Sequence, residues 1–307
     1  MPSVVRVFRP RTGFAPMTVC IGAIFRWRYA DGTIGSAVLG ASDRMLTAGD
    51  VEYEPPQLKV CFLTKNVLAL VAGDLPAHSE ALLRTQQHLA ASPDHDVGRI
   101  AAVYGAKIQT IRRKQAVDLY LAPLGLDENS FISRQNEMQR GFVSELTSQL
   151  QSYRLDMEAL VIGVDGLVAN LWHVGNDGIT TCHTDVGFVA IRIGRSHANS
   201  QLMSIGYTNI LGFYSALAAV YSAKKRAEVA PGVGAQTDIH YITKDGTTRI
   251  DEPELAKLQE LYAAYVCGVG DLRAEAVKAL EAFFVAQGAA ATALKIDEQS
   301  KTTNPGT

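Results

Sequence analysis

Four short apolar runs lie between residues 19 and 73, and no helical periodicity separates them. Val19 to Phe25 and Gly35 to Ala41 flank the polar, glycine-containing stretch Arg26 to Thr33, which is a strand–turn–strand pattern. Lys59-Val-Cys-Phe-Leu and Val67-Leu-Ala-Leu-Val-Ala flank Thr64-Lys65-Asn66 in the same way. Parallel pairing needs a crossover of a dozen or more residues, whereas hairpins pair antiparallel. The start of the chain therefore predicts antiparallel sheet and excludes a doubly wound parallel fold there.

Helical periodicity follows. A helix is expected over Ala77 to Ala91, stopped before Ser92-Pro93. Ile100, Val103, Tyr104, Ile108 and Ile111 form the stripe of a second. Residues 117–157 are polar and mixed and read as a helical excursion. Strand character returns at Ala159 to Val164, Val168 to Val174 and Gly187 to Ile193, with a turn at Gly175-Asn176-Asp177-Gly178. A helix carrying Phe213, Ala216, Leu217, Val220, Tyr221 and Lys224 on one face runs to Pro231-Gly232. The strand Thr237 to Thr243 comes next, then two helices, Pro253 to Tyr265 and Leu272 to Gln287. This order predicts an α+β fold, a four-layer αββα sandwich of two antiparallel sheets flanked by helices. One domain is expected over 18–290, with a disordered tail over 291–307.

Composition narrows the function classes. Apolar residues make up 47% of the chain, which excludes wholesale disorder. With 29 basic against 31 acidic residues there is no basic field for a nucleic-acid partner. The longest apolar runs fall short of the roughly 20 residues of a membrane span. Cys20, Cys61, Cys182 and Cys267 lie far apart, without metal-ligand spacing, as in a reduced cytoplasmic protein. No cofactor and no metal are expected. His173, His183 and His197 lack the paired spacing of a zinc site. Lys224-Lys225-Arg226 reads as a solvated helix end, and Gly232-Val-Gly234 is a weak phosphate-loop pattern because it follows a helix.

Residues 1–17 carry Arg but no acid and lack a secretory apolar core. They read as a removable prosegment or as a start assigned too far upstream, the latter preferred, with Met17 the initiator. Removal of that Met would leave Thr18 first. A Thr hydroxyl needs a base to become a nucleophile, and an N-terminal Thr carries its own in the α-amine. The ordinary pKa of such an amine, about 7.7–8.0, is close to neutrality, and a nearby ammonium lowers it further. Such a site needs a Lys, a carboxylate to hold it and backbone N–H donors for an oxyanion.

The residues for such a site occur in order. Thr18-Val-Cys-Ile-Gly, Ala41-Ser42-Asp43-Arg44 with Thr47-Ala48-Gly49, Lys59, and Val71-Ala72-Gly73-Asp74 resemble the opening of a proteasome β-type subunit and its bacterial relatives. The intervals of 16 residues from Asp43 to Lys59 and 14 from Lys59 to Gly73 match that family. Leu160 to Gly166 and the later helix and strand resemble it more diffusely, to about Gly246.

The resemblance implies an N-terminal-nucleophile hydrolase fold and a threonine-type peptidase. Thr18 would be nucleophile, Lys59 the charge tuning its amine, Asp43 the partner of Lys59, and Gly73 N–H the oxyanion donor. Thr47, Ala72 and Gly73 would line an extended peptide or unfolded-protein substrate, and Val71 would shape its first specificity pocket. A homo-oligomeric ring, fed by an ATP-dependent unfoldase, is the implied setting.

The chain also departs from the family. Ile193 or Arg195 stands where the family places a Ser, with Ser196 a possible auxiliary, and Ala230 to Gly234 lacks the family's later Asp and Ser. A non-catalytic ring or scaffold protein and a small-molecule amidase are the alternatives. Cys20, on the strand face of Thr18, is expected to be inert packing.

Overall fold

The computed structural model describes residues 18–48, 51–54, 59–92 and 96–286. The expected prosegment or early start over 1–17 and the expected tail over 291–307 lie outside them. Contacts divide the chain into two units, Met1–Ile250 and Asp251–Thr307. The boundary falls inside the span read from the sequence as one domain.

The first unit is α+β, with two five-stranded antiparallel sheets. Strands β1 (Cys20–Arg28) and β2 (Ile34–Asp43) form the first expected hairpin. After it come a short ribbon, β3 (Leu46–Ala48) with β4 (Val51–Tyr53), and the second expected hairpin, β5 (Val60–Thr64) with β6 (Val67–Gly73). Helices α1 (Leu75–Ala91), α2 (Val97–Tyr120), α3 (Glu128–Arg134) and α4 (Arg140–Ser152) follow. Then come β7 (Met157–Asp165), β8 (Val168–Val174), β9 (Thr180–Cys182) and β10 (Phe188–Ile191). The unit closes with α5 (Arg195–Ser204), α6 (Phe213–Ala227), β11 (Thr237–Thr243) and β12 (Gly246–Arg249). The first sheet has the order β10-β1-β2-β11-β12 and the second β5-β6-β7-β8-β9.

The inner faces of the two sheets bury Cys20, Ile24, Val38, Leu68, Leu70, Leu160, Ile162 and Leu171 against each other. Gly22 and Gly40 are cross-strand partners on that face. A Cβ on Gly40 would stand 2.6 Å from Ile162 Cδ1 and 3.0 Å from Leu70 Cδ1, so hydrogen at both positions lets the sheets close onto large aliphatic side chains. The outer face of the second sheet, through Val67, Ala69, Val71, Ala159 and Val161, packs on α1 and α2. β6 and β7 are buried on both faces, which is why they read as continuous apolar runs rather than alternating ones. On the first sheet's outer face, Phe213 of α6 packs against Phe25, Trp27 and Tyr241.

Residues 117–152 are largely helical, through the end of α2, α3 and α4, with a small core of their own in Leu121, Phe131 and Leu146, whereas 153–156 are not helical and Met157 already begins β7. Helix α5 is not foreshadowed, because few of its residues are apolar and no stripe develops. The second unit, among its described residues, is one helix, α7 (Glu252–Ala286), and corrects the expectation of two. Gly268 and Gly270 lie between the two expected helices, but each glycine costs only about 1 kcal/mol relative to Ala, too little to stop a helix with strong formers on both sides. No helix among the described residues is long and apolar enough to cross a membrane.

Candidate active site

Thr18 stands two residues before β1, and Asp43 ends β2. The register Cys20↔Ser42 and the bond from Asp43 N to Val19 O (3.3 Å) bring the two residues side by side at one end of the first sheet. Lys59 immediately precedes β5 and is tied to β6 by the bond from Val71 N to Lys59 O (2.9 Å). Its side chain crosses to the first sheet. Lys59 Nζ donates to Thr18 Oγ1 at 2.6 Å and to Asp43 Oδ1 at 3.2 Å. The Thr18 hydroxyl donates to Asp43 Oδ1. Thr18, Asp43 and Lys59 are 1%, 0% and 4% exposed.

A buried charge is tolerated only when it is paired and hydrogen-bonded. Asp43 meets that condition fully. Besides Thr18 and Lys59, it accepts from Val19 N (3.0 Å) on Oδ1, and from Met45 N (3.1 Å) and Gly234 N (3.1 Å) on Oδ2. Arg44, next in sequence, instead pairs with the buried Asp238, Nε and Nη2 donating at 2.9 and 2.8 Å.

The loop carrying Gly234 is itself held by a buried cation. Lys224 Nζ donates to Gly234 O (2.7 Å), Ala235 O (2.9 Å) and Glu228 Oε1 (2.5 Å), and its side chain is 0% exposed. Burial lowers its pKa and Glu228 opposes that shift. This corrects the reading of Lys224 as part of a solvated helix end, while Arg226 is exposed as that reading expects. The chain after α6 folds back over Lys224, a long-range event that helix polarity does not reveal. The Gly232–Gly234 segment, a weak phosphate-loop pattern in sequence, serves to bring a backbone N–H onto Asp43.

Gly73 ends β6 at a φ of +113°, in the region that favours glycine. N–H groups two residues apart leave a strand on the same side. Val71 N bonds Lys59 O, whereas Asp74 N bonds Asp156 O (2.7 Å) on the other side. The Gly73 N–H thus leaves β6 on the side of Lys59. Asp74, last of the Val-Ala-Gly-Asp motif, caps α1 by accepting from Ala77 N at 3.1 Å.

Arg192 follows β10 in a left-handed conformation (φ 70°), rare for a residue with a side chain. Its Nη2 donates to Asp156 Oδ1 at 2.6 Å, and its Nε is buried without a partner among the described residues. The same Nη2 lies 2.8 Å from where a Cβ on Gly73 would stand. Gly194 N, two residues on, points at Thr18 O (3.5 Å).

The other expected residues are placed differently. Val71 is 2% exposed and lies in the core with α1 and α2, while Ala72 belongs to the core between the sheets. Thr47 pairs with Glu52 in the β3–β4 ribbon. Ser196 is exposed on the first turn of α5, and none of the hydrogen bonds of Thr18, Asp43 or Lys59 described above involves it. The Cys20 thiol is wholly buried, and burial pushes its pKa up to about 12 despite the nearby Lys59, so it stays protonated at neutral pH. His173 and His183 have ring centroids 6.3 Å apart, and no group of three metal-ligating side chains forms among the described residues.

Met45 and Arg192 carry no signal for this site in the sequence, and Gly234 and Lys224 carry one only for other roles. Two of these act through backbone N–H groups, which no residue type advertises. The only usable signal was the glycine-rich stretch after α6.

No protein-family model matches the chain, and no curated protein matches it.

Proposed function

We propose that this chain is a threonine-type peptidase subunit of the proteasome β-type superfamily, with the four-layer N-terminal-nucleophile hydrolase fold. One observation carries the reading: the Lys59 ammonium is 2.6 Å from Thr18 Oγ1, and the buried Asp43 carboxylate bonds to both. A hydroxyl in that position has an adjacent cation to stabilise negative charge as it develops on oxygen.

The chemistry requires a free α-amine on Thr18, left by removal of residues 1–17 or by initiation at Met17 with loss of that Met. The neutral amine takes the hydroxyl proton as Oγ1 attacks the substrate carbonyl carbon. Charge on the carbonyl oxygen is stabilised by Gly73 N–H. As the C–N bond breaks, the amine's extra proton passes to the leaving nitrogen. Water, deprotonated by the same amine, then attacks the ester carbonyl; as the bond to Oγ1 breaks, the amine returns that proton to Oγ1, releasing the acid and restoring Thr18. Lys59 keeps the amine uncharged by like-charge repulsion. An extended peptide or unfolded-protein substrate would lie along the backbone of Thr47, Ala72 and Gly73 as an added strand. Confinement in a homo-oligomeric cytoplasmic ring, fed by an ATP-dependent unfoldase, would prevent indiscriminate cleavage.

A non-catalytic scaffold is the second reading. It is favoured by Gly234, whose backbone N–H stands on Asp43 where the resemblance calls for an Asp and a Ser. Intact mass of the purified protein, with fluorogenic-peptide turnover by wild type and Thr18→Ala, separates the readings. The peptidase reading expects Thr18 at the N-terminus and turnover abolished in the variant. Equal rates, or a purified protein retaining residues 1–17, would contradict it. Turnover of small amides alone would favour an amidase.

A further inference from the structure

Behind the candidate oxyanion donor lies a buried pair that the mechanism above does not use. His78, on the first turn of α1, is 1% exposed and Tyr104, in the first half of α2, is 0% exposed. His78 N donates to Asp74 O (3.0 Å), and this first turn folds the imidazole back against the end of β6. There His78 Nε2 lies 3.1 Å from Ala72 O, and Nδ1 lies 2.5 Å from the Tyr104 hydroxyl.

The chemistry of the partners assigns the protons. A backbone carbonyl only accepts, so Nε2 must carry hydrogen. Burial lowers the pKa of His78 to about 4, against weaker opposing effects from Ala72 O and Asp74, with Arg192 adding to the lowering. The ring is therefore neutral at working pH, Nδ1 is an acceptor, and the Tyr104 hydroxyl donates to it. Burial also raises the pKa of Tyr104, keeping that hydroxyl protonated.

The carbonyl that receives His78 belongs to the peptide unit whose other end is Gly73 N–H. A hydrogen bond accepted by a peptide oxygen polarises the unit and strengthens its N–H as a donor. Resting on the peptidase reading above, we propose that Tyr104 and His78 are positioning residues. They form a neutral relay, Tyr104 O–H to His78 Nδ1 and His78 Nε2–H to Ala72 O, that aligns and polarises the Ala72–Gly73 peptide toward the substrate oxyanion. No proton moves along the relay. Its role is to fix one tautomer and one peptide orientation before the oxyanion forms.

The test uses the full chain with Thr18 exposed. Two-dimensional nitrogen–proton NMR of labelled protein reads the His78 tautomer independently of turnover, and a neutral ring protonated on Nε2 is expected. Tyr104→Phe removes only the donor to Nδ1. It is expected to lower kcat roughly tenfold with KM unchanged, as loss of an outer-shell partner does. His78→Gln can keep a donor on Ala72 O and should retain kcat within about threefold, whereas His78→Leu should lose on the order of 100-fold. Circular dichroism confirms folding, and should His78→Leu not fold, Tyr104→Phe and His78→Gln decide. A ring protonated on Nδ1, or Tyr104→Phe with unaltered kcat while Thr18 is acylated normally, would overturn the relay alone. A wild type that neither turns over substrate nor acylates Thr18 would overturn the reading beneath it as well.

Discussion

Two buried polar arrangements, one around Thr18 and one behind the Ala72 carbonyl, are built differently. On one side Lys59, Asp43 and Lys224 are charged groups whose partners come from the residues just before β1 and β5, from the end of β2 and just beyond it, and from the chain after α6. On the other, His78 and Tyr104 are neutral, and their partners all lie on β6, α1 and α2. Charged groups concentrate the field on one atom, Thr18 Oγ1, but each depends on its counter-charge. The neutral pair supplies direction with little field and loses less when a member is removed. Where charge must develop, the chain places charge; where an orientation must be held, it places a dipole.

The comparison predicts effects of graded size. Lys59→Ala should lower peptide turnover on the order of 10³-fold or more with the circular dichroism spectrum intact, since residues acting as one unit fail together. Full retention of rate would remove the charged side from the mechanism. Asp43→Ala leaves Lys59 and several N–H groups buried without their carboxylate, and denaturant unfolding should show a loss of about 3–5 kcal/mol. A loss under about 1 kcal/mol would mean the pair is solvated.

The neutral side is tested by pH. The folded pKa of His78 is lowered from 6.5 to about 4, so the unfolded chain binds more protons between those values. His78 thus contributes stability above pH 6.5 that is lost as pH falls toward 4, on the order of 3 kcal/mol. His173, His183 and His240 are also lowered by burial and share the slope, so unfolding measured across that window should show a slope in wild type that is reduced, not abolished, in His78→Gln. Lys224→Met should cost about 1–3 kcal/mol by leaving Gly234 O and Ala235 O without their donor. Tyr104→Phe should have the smallest effect on stability, about 1 kcal/mol.

How far each arrangement is legible in the sequence follows from the same difference. The hairpins β1–β2 and β5–β6 are visible as apolar runs around short polar turns, and hairpin closure places Asp43 near Thr18 and Lys59 near Val71. The ordered intervals therefore carry three-dimensional information. The paired glycines Gly22 and Gly40 do not declare themselves, since only the opposite sheet gives them meaning. Lys224 looks solvated because its neighbours Lys225 and Arg226 are basic, and its burial depends on the chain turning back through Gly232. His78 sits between Ala77 and Ser79 and differs from a core histidine only in which carbonyl it meets. Tyr104 is visible as a stripe residue, but its hydroxyl's partner belongs to another helix. Elements too short or too polar for a period, β3, β4, β9, β12 and α5, escape pattern reading for the same reason: tertiary pairing defines them.

The most direct test of the central claim is to treat the protein carrying a free Thr18 amine with an activated peptide ester, quench it and map the acyl group by mass spectrometry. The account predicts an ester on Thr18 Oγ1, absent in Thr18→Ala and strongly reduced in Lys59→Ala. Acylation of Cys20 or of surface residues alone, with Thr18 unmodified, would contradict it.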